Sequence, residues 1–293
     1  MRLFKQLLLI MLLVASPLGQ AKPLVLGQIS DRPGKDLDEL RPMVDYAAAH
    51  LTSLGISSGE VRLFDSAEAL IAAMQAGEVD WVTETPYTAA RLVREAGARP
   101  LLRKWKRGQQ YYQTLIYTHA DSAIREIGDL AGKRIAFEHP ESFSSYFVPR
   151  LILEQAGLQL TALETIGQAP DTDRVGYLFS RNEKNNALWV HKSLVSAGAL
   201  NNSDWENPKR VPDALRQDLR IIYRSVQYPR AMELVSPGLA LELADGLRKL
   251  LLGMAGSGAT DILARYEHTT GFAPLQPGDL QLLHDIYENS RSW

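Results

Sequence analysis

Three serines within four positions, Ser142, Ser144 and Ser145, follow directly on the apolar run Arg134-Ile135-Ala136-Phe137 and precede Tyr146-Phe147-Val148-Pro149. This order reads as a strand, a hydroxyl-rich turn and the start of a helix, an arrangement suited to holding an oxyanion. The first helical N–H groups lack intrahelical acceptors, the helix dipole places partial positive charge there, and serine hydroxyls add donors that rotate to suit a ligand. No cationic side chain is required. A second reading of the same residues stays open: serine is a preferred N-cap, and Ser144 or Ser145 could simply cap the helix. Pro149 is compatible with a helix from about 146 to 156 because it falls in the first turn.

The elements around this turn alternate. Pro23–Ile29 reads as a strand, residues 37–54 as a helix ending at Gly55, Val61–Phe64 as a strand, and Asp65-Ser66-Ala67-Glu68 as a helix start. Val79–Thr83 is a third strand, and Thr85-Pro86-Tyr87 opens a helix closed by Gly97. The β-rich stretch Tyr111–Thr118 begins a second series with strands at 134–137, 175–180, 195–199 and 219–225, the last clear strand. Helices over 237–254, 259–267 and 277–289 close the chain. Repeated strand and helix units argue for α/β architecture with largely parallel sheets.

The chain has 293 residues, no cysteine and a formal charge of −2. Disulfides, thiolate nucleophiles and cysteine-ligated metals are therefore excluded. Arg2 and Lys5 precede the apolar run Leu7–Val14, and Gly19 and Ala21 fit the −3 and −1 positions of a signal peptide cleaved before Lys22. The apolar stretch is shorter than the ~20 residues that span a bilayer. The expected product is a mildly acidic periplasmic protein, ill suited to nucleic acid or anionic lipid. The basic stretch Arg103-Lys104-Trp105-Lys106-Arg107 reads as a solvated turn rather than a nucleic-acid patch. The six histidines show no metal spacing, no G-x-S-x-G motif is present, and neither a cofactor nor a catalytic function is expected. A secreted hydrolase is the weakest of the alternatives.

Residues 121–157, with Asp121-Ser122, Ile124, Asp129-Leu130-Ala131-Gly132-Lys133, Ile135-Ala136-Phe137 and the serine turn, resemble the second-lobe signature of the phosphate/phosphite/phosphonate family of periplasmic ABC-transporter binding proteins. Ala76–Asp80, Pro86-Tyr87, Trp189-Val190, Ala197-Gly198-Ala199 and Asn202–Trp205 extend the likeness over nearly all of the chain after the leader. The resemblance implies a type 2 periplasmic binding fold: two α/β lobes, joined by two crossing segments, closing on a ligand. Lobe one would comprise 22–110 plus 226–293, the latter contributing helices, and lobe two 111–225, with crossings near 111–117 and 223–228.

It further implies a receptor that binds a small anionic solute and delivers it, as a monomer, to an ABC-transporter permease; a soluble partner of a membrane sensor kinase is the alternative. Ser142, Ser144 and Ser145 match the family's hydroxyl turn, and Tyr87 matches a tyrosine that reaches the ligand from the other lobe. Phe143 stands where phosphonate binders carry threonine, and 180–185 lacks their histidine, which makes the pocket less polar. Glu84, at a strand end, would face the cleft and repel an anion unless protonated or paired with Arg32, or else is a surface or capping acid; Glu138 is placed similarly. Arg32 is either a fork for a carboxylate or phosphate or a solvated loop residue. Tyr112 either lines the cleft or packs, and Trp105 is expected to pack.

Overall fold

The computed structural model describes residues 22–291; the leader assigned to residues 1–21 lies outside them. The first series runs β1 (Lys22–Ile29), α1 (Pro33–His50), β2 (Ile56–Phe64), α2 (Ala67–Gln75), β3 (Trp81–Glu84), α3 (Pro86–Glu95) and β4 (Arg99–Lys106). Local chemistry sets its boundaries. Pro33 enters α1 in the first turn, the Ser66 hydroxyl accepts the Ala69 N–H at the start of α2, and Gly97 supplies the left-handed residue after α3 at φ 70°.

The chain crosses through β5 (Tyr111–Tyr112) into a second series: β6 (Thr114–His119), β7 (Arg134–Phe137), α4 (Val148–Gln155), β8 (Gln159–Ala162), β9 (Arg174–Phe179), α5 (Glu183–His191), β10 (Ala197–Asn201), α6 (Asn202–Glu206), α7 (Asp213–Arg216) and β11 (Leu219–Arg224). It returns through β12 (Tyr228–Pro229) to add β13 (Ala231–Val235), α8 (Leu241–Gly253), α9 (Thr260–Arg265), β14 (Thr269–Ala273) and α10 (Asp279–Ser290).

Two six-stranded sheets result, in the orders β14-β4-β13-β3-β1-β2 and β11-β6-β10-β7-β9-β8. In the first, β13 and β14 oppose the direction of the other four strands. In the second, only β6 is reversed. Both sheets are thus mixed and largely parallel, as expected. The crossings meet in a two-stranded antiparallel ribbon in which Tyr228 lies opposite Tyr112.

Two expectations fail. Of the basic stretch at 103–107 only Arg107 lies in an exposed turn; residues 103–106 are the end of β4, inside the first sheet between β14 and β13. Its charges are neutralised across the fold: Arg103 pairs with buried Asp279 of α10, and the fully buried Lys104 reaches Glu267 at 2.5 Å. Residues 219–225 are likewise not the last strand, since the C-terminal part supplies β13 and β14 besides its helices. β13 carries a completely buried Glu233, held by the Trp81 indole N–H at 2.6 Å, so its apolar run is broken where the fold supplies a partner.

Candidate functional site

In α/β sheets ligands collect outside the carboxyl ends of parallel strands, and here such ends from both sheets face each other across a cavity of about 620 Å³. The first sheet contributes residues that follow β1, β2, β3 and β4, among them Arg32, Ser66, Thr85 and Arg107. The second contributes the turn after β7, Arg181 after β9 and Asn201 at the end of β10.

The turn after β7 divides its serines between structure and cleft. Ser142 is the cap: its hydroxyl accepts the Ser145 N–H at 3.2 Å and donates to Glu138 at 2.9 Å. Ser145 ties the turn to the sheet, accepting from the Glu138 N–H and from Asn186 and donating to the Ala199 carbonyl at 2.5 Å. Ser144 lines the cavity. Residues Phe143–Phe147 form a single wide π-helical turn, in which the Tyr146 and Phe147 N–H groups both donate to the Ser142 carbonyl. Among the described residues, the N–H groups of Phe143 and Ser144 have no protein acceptor. Two main-chain donors and one hydroxyl are thereby presented at a helix start.

Of the eight residues singled out from the sequence, Ser142, Phe143, Ser144, Glu84, Tyr112 and Arg32 line the cavity; Tyr87 and Ser145 do not. The Tyr87 ring packs against Phe147 with centroids 4.7 Å apart. Phe147 stacks on Phe143 at 5.5 Å, and Phe143 meets the edge of Tyr228 at 5.0 Å. An aromatic column therefore runs from α3 in one lobe, through the serine turn of the other, to the second crossing. Arg32 is half exposed and pairs with Asp31 at 3.2 Å, not with Glu84. Trp105 is partly buried, and its ring occupies the space that a side chain at Gly271 would enter.

The electrostatics of the cavity are mixed. Glu84 accepts the Ile29 N–H at 3.0 Å, yet burial, reinforced by the charges of Glu267 and Glu141, raises its pKa to about 8. Burial and the neighbouring Glu138 and Asp204 raise Glu183 to about 7, although Arg210 sits 2.9 Å away. Burial pushes Glu138 upward as well. Glu267, whose backbone lies in the left-handed region at φ 50°, bridges buried Lys104 and cavity-lining Lys106, which are 2.5 and 2.7 Å away. The two lysines hold Glu267 well below the usual carboxylate range against the effect of burial.

Lys106, Arg107, Glu183, Asp204, Arg210, Arg230, Thr85 and Glu267 were not anticipated as cleft residues. The positions following strand ends carried a usable signal for Thr85, Lys106 and Arg107. For Arg230, which enters from the second crossing, the local sequence carried none.

Two mixed sheets, a paired double crossing and a polar cavity between them define a two-lobed periplasmic binding protein of type 2. Residues 29–280 match the family described as the periplasmic substrate-binding protein of phosphonate ABC transporters, and the chain belongs to that family. It is similar to XAC2383 from Xanthomonas citri, solved bound to chloride ion and bound to ATP, at 33% identity over 91% of this chain and 96% of that one, with TM-scores of 0.88 and 0.86. The fold, at 15% identity, is also that of PhnD1 from Prochlorococcus marinus in complex with methylphosphonate, with a TM-score of 0.69 over 93% of this chain and 98% of that one. The family is a periplasmic substrate-binding component that binds small ligands and works with ABC-transporter permeases.

Proposed function

We propose that this protein is exported, binds a small solute through an anionic head group in the interlobe cavity, and delivers it to an ABC permease without chemical turnover. The observation that carries this reading is the serine turn: the free N–H groups of Phe143 and Ser144 and the Ser144 hydroxyl stand at a helix start in the cavity wall. Such donors are satisfied by an oxyanion. The ligands named for two related structures, ATP and methylphosphonate, both carry phosphorus oxyanions, which agrees with it.

The rest of the cavity constrains the remainder of the solute. Nine carboxyl groups face six lysine and arginine side chains there, and those that are ionised offer only acceptors. A solute that fits both parts combines one anionic head with amine or hydroxyl donors. The division into lobe one, 22–110 with 226–291, and lobe two, 111–225, is supported by the membership of the two sheets, and export is supported by the leader-like residues 1–21.

Calorimetry and thermal shift on the mature protein test the reading with phosphate, methylphosphonate, alkylsulfonates, ATP, carboxylates and amino acids. The expected outcome is saturable binding of an oxyanion-bearing compound, recovered unchanged afterwards, because a ligand that binds only the native state raises its melting point. Binding confined to neutral or purely cationic compounds, or conversion of a bound compound, refutes it.

A further inference from the structure

We infer that Arg230 and Tyr112, one on each crossing segment, form the anchor for the solute's head group, with an oxygen of a phosphate, phosphonate, sulfonate or carboxylate placed against Arg230 Nε and the Tyr112 hydroxyl. The inference rests on the proposed anionic ligand and adds to it the residues that carry the charge recognition.

The two side chains are held together by the crossing ribbon. Tyr112 pairs with Tyr228 across it, and the Arg230 N–H donates to the Gln110 carbonyl at 2.9 Å. The Arg230 guanidinium lies 4.5 Å from the centre of the Tyr112 ring. Both residues line the cavity, and both are buried, at 9% and 2% exposure. Arg230 Nε and the Tyr112 hydroxyl make no hydrogen bond of normal geometry, although Ser144 lies beside the hydroxyl.

Charge pairing separates Arg230 from the other cavity cations. Lys106 has Glu267, Arg210 has Glu183 at 2.9 Å, Arg107 has Asp204 at 3.6 Å, and Arg32 has Asp31. Arg181 has no such partner but is exposed. Among the described residues, no carboxylate lies within 4.0 Å of the Arg230 guanidinium. A buried guanidinium with no carboxylate beside it calls for an anion from outside the chain. Burial raises Tyr112 to about 12, which keeps its hydroxyl a donor at physiological pH. Thr85, whose buried hydroxyl also lacks a partner, closes the same cavity from the first lobe. An anion seated here touches both crossings and the serine turn, so its charge is read at the segments about which the lobes move.

The test compares native protein with Arg230→Gln, Arg230→Lys, Tyr112→Phe and Ser144→Ala, titrated calorimetrically with phosphate, methylphosphonate and ATP at one ionic strength. For whichever anion the native protein binds, Arg230→Gln is expected to weaken binding by at least about 10-fold, and Tyr112→Phe by a smaller factor. Arg230→Lys should fall between native and Arg230→Gln, since it keeps the charge but loses the planar fork. The melting temperature of ligand-free Arg230→Gln should equal or exceed that of native protein, because an uncompensated buried charge is removed. A lower melting temperature with unchanged anion affinity marks Arg230 as structural and overturns the anchor. If Ser144→Ala weakens binding and Arg230→Gln does not, the anchor fails while the proposed function survives. A native protein that binds neither these three anions nor any of the sulfonates, carboxylates and amino acids of the wider screen overturns both.

Discussion

Replacing Glu84 by glutamine isolates the pH dependence of one cavity acid. Glutamine keeps a carbonyl oxygen to accept the Ile29 N–H, which Glu84 accepts at 3.0 Å, but it cannot ionise. In the folded protein the Glu84 pKa is about 8, against 4.5 for an unperturbed glutamate. Between these values the native state holds a proton that the unfolded chain has lost, so stability declines as pH rises through the window and is level beyond both ends. Worked from those two values, the loss between pH 6 and pH 9 is about 2.7 kcal/mol, roughly 5 °C in apparent melting temperature for a chain of this size. Glu183, Glu138 and Glu141 are also raised and lower stability in the same direction. They remain in the variant, so the difference between native and Glu84→Gln slopes belongs to Glu84. Urea unfolding at half-unit steps of pH measures it. Parallel slopes for the two proteins, or native stability that rises from pH 6 to pH 9, refute the argument that burial outweighs the Ile29 hydrogen bond.

Other substitutions probe separate parts of the structure. Arg103→Met leaves Asp279, only 1% exposed, without its cation and should cost about 3–5 kcal/mol in urea unfolding. Gly59→Ala would place a Cβ 2.7 Å from the Val44 carbonyl group, and the overpacking between β2 and α1 should cost about 1–3 kcal/mol in the same assay. Ser144→Ala should reduce affinity for the bound anion about 10-fold while shifting the ligand-free melting temperature by less than about 2 °C, since its hydroxyl supports no helix cap. Tyr87→Ala removes the ring that packs on Phe147 across the lobes. Calorimetry should show weaker binding of every ligand by a similar factor, with their order of affinity unchanged.

The reach of sequence reasoning differs from place to place for physical reasons. The alternation of strands and helices was legible because each helix announces its own start and stop, with Ser66 and Pro86 at one end and Gly55 and Gly97 at the other. The serine turn was legible as a locus, yet the roles of its members were not. Ser142 and Ser145 are bound to Glu138, Asn186 and Ala199, and Ala199 belongs to a strand that begins more than fifty residues later. Only the fold reveals that Ser144 is left for the cavity.

Charge shows the same limit more sharply. Arg103 and Arg230 are both arginines in partly apolar surroundings, and nothing adjacent to either tells them apart. The first is neutralised by Asp279, 176 residues away, and belongs to the architecture. The second meets no carboxylate and faces a cavity beside Tyr112, from a segment more than a hundred residues later. A charged residue in a strand is therefore uninformative until its partner is known. Arg103 and Lys104, in a stretch expected in solvent, are buried because their partners come from α10 and from the loop before β14. The cationic pole of the cavity escaped notice because its partner is not part of the chain.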